Sequence, residues 1–326
     1  MMNPDSNPGK KPGNGIGLLL GSLFLLIFAV ILWRIPHLLR ALEEARNLGP
    51  EAFKTNGFDL PEEWLNDQDF LRWGAPGQIM AVDLPEIWQQ DKVEELSKNF
   101  RKRFLVSSSE VVGVTFGGTS RAYPLRLLQW HEVVNDIVGG IPICVVYHPL
   151  SETVAVFRRA SQDPAEEAPL FGNSGLVLDC CLLINDRRGQ GMRDRESLWS
   201  PVDGIALSGP RKGDALQFLP FQLTTWNDWL ERAPETDVMA MLESHRNYYK
   251  KEPYLPYRQR DLPKYPYSPK APAGPKNLDR VLITGMGSER KGTLIDDLVS
   301  NQSSQEPFVI SAWFATHARE IPVESP

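Results

Sequence analysis

Hydrophobic and polar positions divide this chain into stretches of different kinds. Residues 15–33, GIGLLLGSLFLLIFAVILW, carry no charge. At a rise of ~1.5 Å per residue the run spans roughly 28 Å, about one bilayer core. It predicts a single transmembrane anchor helix. The run passes into Trp33-Arg34 with no small-x-small cleavage site. That edge suits an interfacial anchor better than a cleaved signal peptide. Residues 1–14 are polar with Pro and Gly and predict a disordered tail. Residues 34–104 predict a juxtamembrane and connecting helical segment. Its signals are a leucine stripe (Leu38, Leu39, Leu42, Leu48) and a mixed-charge helix over 87–104.

The main domain is predicted over 105–250. Val111 to Phe116 reads as a strand, Gly117-Gly118 as a hairpin turn and Arg121 to Tyr123 as the return strand. Pro124 opens a helix predicted to run from Leu125 to about Ile137, ending at Gly139-Gly140. Residues 142–147 and 153–157 read as strands joined by His148-Pro149-Leu150-Ser151-Glu152. Leu176 to Ile184 is a further apolar run, and short strands broken by glycines fill 198–219. Thr224 or Thr225 caps a helix reaching Arg232. Residues 251–277 are rich in Pro and Tyr and predict a strap or linker. Residues 278–326 complete the domain. Arg280 to Leu294 echoes Val111 to Leu125 in its strand, turn, basic residue and leucine, which makes the last part a candidate half-repeat. The fold class expected is α+β: a β-rich core of short, mainly antiparallel strands with a few packed helices, preceded by a single transmembrane helix.

Composition narrows the function. The net charge of −6 over 326 residues excludes a strongly basic nucleic-acid binder. Cys144, Cys180 and Cys181 match no disulfide framework and no zinc-ribbon spacing. Cys180-Cys181 reads as two small residues of a buried strand before it reads as a vicinal disulfide. Gly17 and Gly21 stand in a G-x-x-x-G pair, the one sequence route to homo-oligomerisation through the anchor, although a tolerated glycine pair is the plainer account. Lys10 and Lys11 precede the span while Arg34, Arg40 and Arg46 follow it, so flanking charge does not orient it.

The chemistry-bearing residues concentrate in two places. On the predicted helix, His131 and Asn135 would share one face and Glu132 and Asp136 another. The run lacks the second histidine of H-E-x-x-H. At the predicted turn, His148 and Ser151 could meet as base and hydroxyl, with no third group to orient them. His131, Glu132, Asp136, His148 and Ser151 are therefore the catalytic candidates. His131 and His148 are the metal-ligand candidates, with Glu132 or Asp136 completing the set for a divalent metal. Tyr123, Asn135, Tyr147 and Trp199 are candidate contacts for an unidentified small molecule. The plainer account is a helix whose His and Asn bond to nearby loops while the carboxylates face water. Phe171 to Gly175 reads as a tight turn, and Gly285-Met286-Gly287 is no dinucleotide fingerprint.

Taken together, Arg121-Ala122-Tyr123-Pro124-Leu125, His131 to Asp136, Gly139-Gly140, Pro142, Tyr147 to Phe157, Phe171-Gly172, Ser174-Gly175, Asp186-Arg187, Ser197 to Ser200, Gly209-Pro210, Gly213 and Thr225-Trp226 with Trp229 resemble the uncharacterised family catalogued as domain of unknown function 3179. The resemblance covers roughly residues 105–240. It implies a bacterial or archaeal protein that is exported or membrane-anchored, with the domain on the extracytoplasmic side, and it supplies no activity. Where that family commonly shows Cys-Pro-Leu-Cys, this chain has His148-Pro149-Leu150-Ser151. A histidine can ligate a metal, whereas a hydroxyl is a poor ligand for a soft one. The replacement points to a divergent, binding-only or inactive version. The leading expectation is a membrane-anchored extracytoplasmic domain that binds a ligand or metal at the helix and turn. The rivals are a metal-assisted or acid–base enzyme using His131, Glu132, Asp136 and His148, and a structural or assembly protein.

Overall fold

The computed structural model describes residues 54–324 apart from 68, 100–103, 162–166, 189–192, 261–274, 286–288 and 296–305. The chain divides into two units after Phe53, and every described residue belongs to the second. The expected anchor, tail and juxtamembrane stripe lie outside the described residues. Among the described residues no helix is long and apolar enough to cross a membrane.

A helical turn (Glu62–Leu65), the short strands β1 (Phe70–Arg72), β2 (Val82–Asp83) and β3 (Ile87–Trp88) and a helix (Gln90–Asn99) come first. Then follow β4 (Glu110–Phe116), β5 (Thr119–Pro124), a helix (Leu125–His131), β6 (Val133–Val138), β7 (Ile141–His148) and β8 (Thr153–Arg158). Next are β9 (Leu170–Leu178), β10 (Cys181–Arg187), β11 (Leu198–Ser200), β12 (Ile205–Ser208), β13 (Gln217–Phe218) and β14 (Gln222–Thr225). A helix (Trp226–Arg232), β15 (Asp237–Met239) and a helix (Leu255–Arg260) lead to β16 (Arg280–Thr284), β17 (Lys291–Leu294), β18 (Val309–Ala312), a helix (Trp313–Ala318) and β19 (Val323–Glu324).

These strands form three sheets. The central sheet runs β19-β17-β16-β18-β8-β7-β6-β2, with β13 also on β8. A second runs β14-β4-β5-β15-β3 and a third β1-β9-β10-β11-β12. Most pairings are antiparallel; β2 with β6, β5 with β15 and β17 with β19 are parallel. The β-rich α+β expectation therefore holds for the described residues.

The central sheet is apolar on both faces, and strand periodicity explains how. Val145 and Tyr147 of β7 and Val154 and Val156 of β8 join a core with Val112, Val114 and Ala122 of the second sheet. Their alternate neighbours Cys144, Val146 and Phe157 join Phe171, Ile184 and Trp199 of the third sheet in a separate core. A strand covered on both sides reads as a continuous apolar run, as 143–147 does.

The helix after Pro124 is shorter than expected. It ends at His131, and Glu132 takes φ 58°. The chain then continues as β6, so His131/Asn135 and Glu132/Asp136 are not helical neighbours. The physical reason is the β-branched run Val133-Val134 and Ile137-Val138, which prefers a pleated strand. Ile137, where the helix was expected to end, lies in β6 and is 46% exposed. Gly139-Gly140 closes a hairpin with β7 instead of stopping a helix. Two other readings change. Phe171 to Gly175 lies within β9, although Gly175 keeps a positive φ of 74°. The apolar run at 176–184 is a hairpin, with Asp179 and Cys180 in its left-handed turn. The cysteines are free and buried. The predicted cap at Thr225 forms, accepting from the Asp228 N–H at 3.2 Å. Arg280–Thr284 and Lys291–Leu294 do pair as a hairpin like β4 and β5, but in a different sheet.

The two glycine hairpin turns touch one another. A Cβ on Gly139 would stand 1.9 Å from the Phe116 carbonyl oxygen, and Gly139 itself has φ 55°. Gly140 has φ 78° and nothing within 4 Å of its hypothetical Cβ. Gly139→Ala is therefore expected to cost at least ~2 kcal/mol of stability and Gly140→Ala about 1 kcal/mol. Denaturant unfolding of the two variants checks the difference; equal midpoints would contradict the close approach of the turns.

Candidate functional site

The candidate residues fall into three buried networks instead of one cluster. Asp136 of β6 reaches the second sheet. Its Oδ2 accepts from the Tyr123 hydroxyl at 2.6 Å and from Arg121 Nη1 at 2.9 Å. Arg121 also grips Asp237 with two bonds, from Nε at 2.7 Å and Nη2 at 2.9 Å. Burial and the neighbouring Asp136 carboxylate push the Tyr123 phenol well above its ordinary range. Asn135 points the other way. It exchanges bonds with the Phe171 backbone, accepting at 2.9 Å and donating at 2.8 Å, and also donates to Asp83. Such closed bonding is what buried polar groups require.

The helix end makes the second network. His131 Nδ1 lies 2.9 Å from the Met80 carbonyl oxygen and Nε2 lies 2.5 Å from the Tyr249 hydroxyl. Burial lowers its basicity, and the nearby His245 ring adds to this. Glu132 follows, 4% exposed. Its side chain accepts from the Asn173 amide, and its backbone carbonyl from the Tyr147 N–H at 2.8 Å. Burial raises its carboxyl to about 8, against the lowering effect of Asn173. It is therefore mostly protonated at neutral pH, a carboxyl of the kind found at acid–base sites.

The turn after β7 makes the third. His148 Nδ1 and Ser151 Oγ are 2.7 Å apart, and a hydroxyl chain continues through Thr153 at 2.8 Å to Ser311 at 3.0 Å. The pair has the spacing of a base and its nucleophile, but His148 is 2% and Ser151 0% exposed. Burial lowers His148 to about 3, which keeps it neutral. Next to it, Glu152 takes φ 48°. Its carboxylate accepts from Tyr147 OH at 3.1 Å and Arg280 Nη2 at 2.7 Å. Arg280 also pairs with Glu110, and Arg258 lies 3.3 Å from the Tyr147 hydroxyl and 3.6 Å from Glu152. Burial would raise Glu110, but Arg280 holds it below its ordinary range.

The expected metal site does not gain support from this geometry. His131 and His148 bond to separate partner sets. Among the described residues no three His, Cys, Asp or Glu side chains form a group that could hold a metal ion. Trp199 packs in the core between sheets, 5.9 Å from Phe171, with Arg211 over its ring.

The charged network around Glu152 borders open space. A cleft of about 440 Å³ is lined by Glu110, Arg126, Gln129, Glu252 and Arg258, with Leu105 and Leu125 as apolar walls. Arg258, Arg280 and Glu110 escape a sequence reading because their partners are 100 or more residues away: Arg280 meets Glu110 across 170 positions and Glu152 across 128. Glu152 itself was within reach, since it closes the His148 turn.

Glu132 carries a pH signature. Its carboxyl rises from 4.5 to about 8 on folding. The stability attached to the protonated form is fully present below pH 4.5 and is lost as pH rises through 8. The stability gap between wild type and Glu132→Gln should shift in the variant's favour by on the order of 1 kcal/mol per pH unit across that window. A gap that stays constant from pH 4.5 to 8 in chemical denaturation would contradict the buried, protonated assignment.

No curated protein and no solved structure matches the chain. The family described as protein of unknown function, DUF3179, matches residues 78–321, which span the central sheet except β19, all three networks and the cleft. The chain belongs to the DUF3179 family of proteins of unknown function.

Proposed function

We propose that this chain is a membrane-anchored, extracytoplasmic domain that binds a small polar ligand in the cleft beside the Leu125–His131 helix. The observation that carries the reading is the set of three supporting side chains beneath that cleft. Arg258 and Glu110 line it, and Glu152, Tyr147 and Arg280 hold them from below. Groups held by their own partners are preorganised, so little ordering is left to oppose binding. A volume of 440 Å³ lies within the ~300–1,000 Å³ of small-molecule sites. Two carboxylates and two guanidinium groups on the walls favour a ligand carrying both an acidic and a basic or hydroxyl group. The uncharged run 15–33 supports the anchor, and the resemblance to an exported family supports the extracytoplasmic side.

An acid–base enzyme is the second reading, favoured by Glu132 alone, with its left-handed backbone and raised carboxyl. His131, Asp136 and His148 give it little, because each is held in closed bonding away from the cleft.

Two experiments test the leading reading. The full chain should stay with membranes through alkaline carbonate extraction, while a chain lacking residues 15–33 should be released; release of the full chain would remove the anchor. Thermal-shift screening of the detergent-solubilised chain against amino acids, hydroxy acids and amino sugars should find a stabilising compound. Arg126→Ala and Glu252→Ala should each weaken it by about tenfold. A panel with no stabilising member, or one whose effect survives both variants, contradicts the site.

A further inference from the structure

Two residues of the cleft wall, Glu252 and Arg258, come from a segment built differently from the sheets around it. Ala240 is the last residue tied to the second sheet's edge, its N–H donating to the Glu86 carbonyl at 2.8 Å. Beyond it, the chain from Glu243 to Arg258 forms a 3₁₀ turn (Glu243–His245), a run of local backbone bonds and the start of the Leu255–Arg260 helix. Among the described residues, none of 243–258 joins a strand pairing. Most of this strap is exposed, and two tyrosines are the exception: Tyr249 is 2% and Tyr257 1% exposed.

Those tyrosines fasten the strap to the body at two separate points. The Tyr249 hydroxyl lies 2.5 Å from His131 Nε2, and its carbonyl accepts from Arg126 Nε at 2.6 Å. The Tyr257 hydroxyl donates to the Leu150 carbonyl, inside the His148 turn, at 2.6 Å. One residue on, Arg258 lies 3.6 Å from Glu152. A buried tyrosine combines a large apolar ring with a hydroxyl that needs a partner, so it is a strong and specific pin. Arg126 stands on the body's side of the cleft, and the same guanidinium holds the strap.

We infer that residues 243–258 are a lid over this cleft, hinged after Ala240 and pinned shut by Tyr249 and Tyr257. The inference rests on the cleft being the binding site and adds how a ligand enters it. A segment held by side-chain pins and local turns opens at lower free energy than a strand inside a sheet. Opening carries Glu252 and Arg258 off the wall and separates Arg126 from the Tyr249 carbonyl. A ligand engaging both Arg126 and Arg258 meets them together only in the shut position. It therefore favours closure, because it binds that state better than the open one.

Residue-resolved hydrogen exchange on the detergent-solubilised full chain tests the lid without any ligand. The amides of Tyr248, Lys251, Tyr257 and Arg258 bond within the strap, whereas that of Tyr147 bonds to the Glu132 carbonyl in the body. The strap amides should exchange at least about 100-fold faster than Tyr147. Tyr249→Phe keeps the ring and removes the hydroxyl. It should speed exchange by about tenfold at Tyr248 and Lys251, by the same factor at Tyr257 and Arg258, and not at Tyr147. Tyr257→Phe should produce the same pattern from the other pin. Acceleration confined to the mutated residue's own turn would mean local fraying, and acceleration that includes Tyr147 would mean opening of the whole fold; either overturns the lid. Because no ligand is present, a compound panel without a stabilising member would sink the cleft reading and leave this result standing.

Discussion

Arg121 carries a positive charge into a nearly dry space between two sheets and meets two carboxylates there. Asp237 takes one edge of the guanidinium in a two-bond fork, and Asp136 takes another nitrogen together with the Tyr123 hydroxyl. Asp136 belongs to the central sheet, whereas Arg121, Tyr123 and Asp237 belong to the second. Removing one partner from such a buried set costs about 3–5 kcal/mol, because the remaining charge is stranded away from water. The interaction therefore constrains how β5 and β6 face each other. The contact of the Gly117 and Gly139 turns repeats the constraint a few residues further along the same strands.

That constraint decides which polar residues are available for chemistry. With both faces of the central sheet covered, the side chains of β6 and β7 have no route to solvent except at strand ends. His131, Asn135, Asp136, His148 and Ser151 are spent on holding neighbouring segments. Arg159 adds to the same work by donating to the Ile143, Asp136 and Pro169 carbonyl groups. Open space is left to the margin, where Arg258 and Glu110 line a cleft. The His148 turn is closed by a hydrogen bond to Ser151 and extended by the Thr153 and Ser311 hydroxyls.

Local pattern made the hairpins legible. The β4 and β5 strands, the Gly117-Gly118 turn, the strands flanking the His148 turn and the Thr225 cap all follow from short-range chemistry, whereas the Gly139-Gly140 hairpin does not. The helix boundary did not, because His131 to Asp136 can be written on either period and the Val133-Val134 pair decides the matter only once a partner strand covers it. The clustering of chemical residues in sequence was real, but alternation along β6 sends Asn135 and Asp136 to opposite faces. The cleft was not visible. Arg280 and Glu110 come together through sheet order, which no local spacing encodes.

The Arg121–Asp136 contact joins the second sheet to the central one. Its strength is read from a double-mutant cycle with Arg121→Met and Asp136→Asn, measured by denaturant unfolding. A coupling energy of about 2 kcal/mol or more is expected, with the double variant far less destabilised than the sum of the singles. Additivity within ~0.5 kcal/mol would contradict it, and would mean that the two sheets are held by their apolar faces alone.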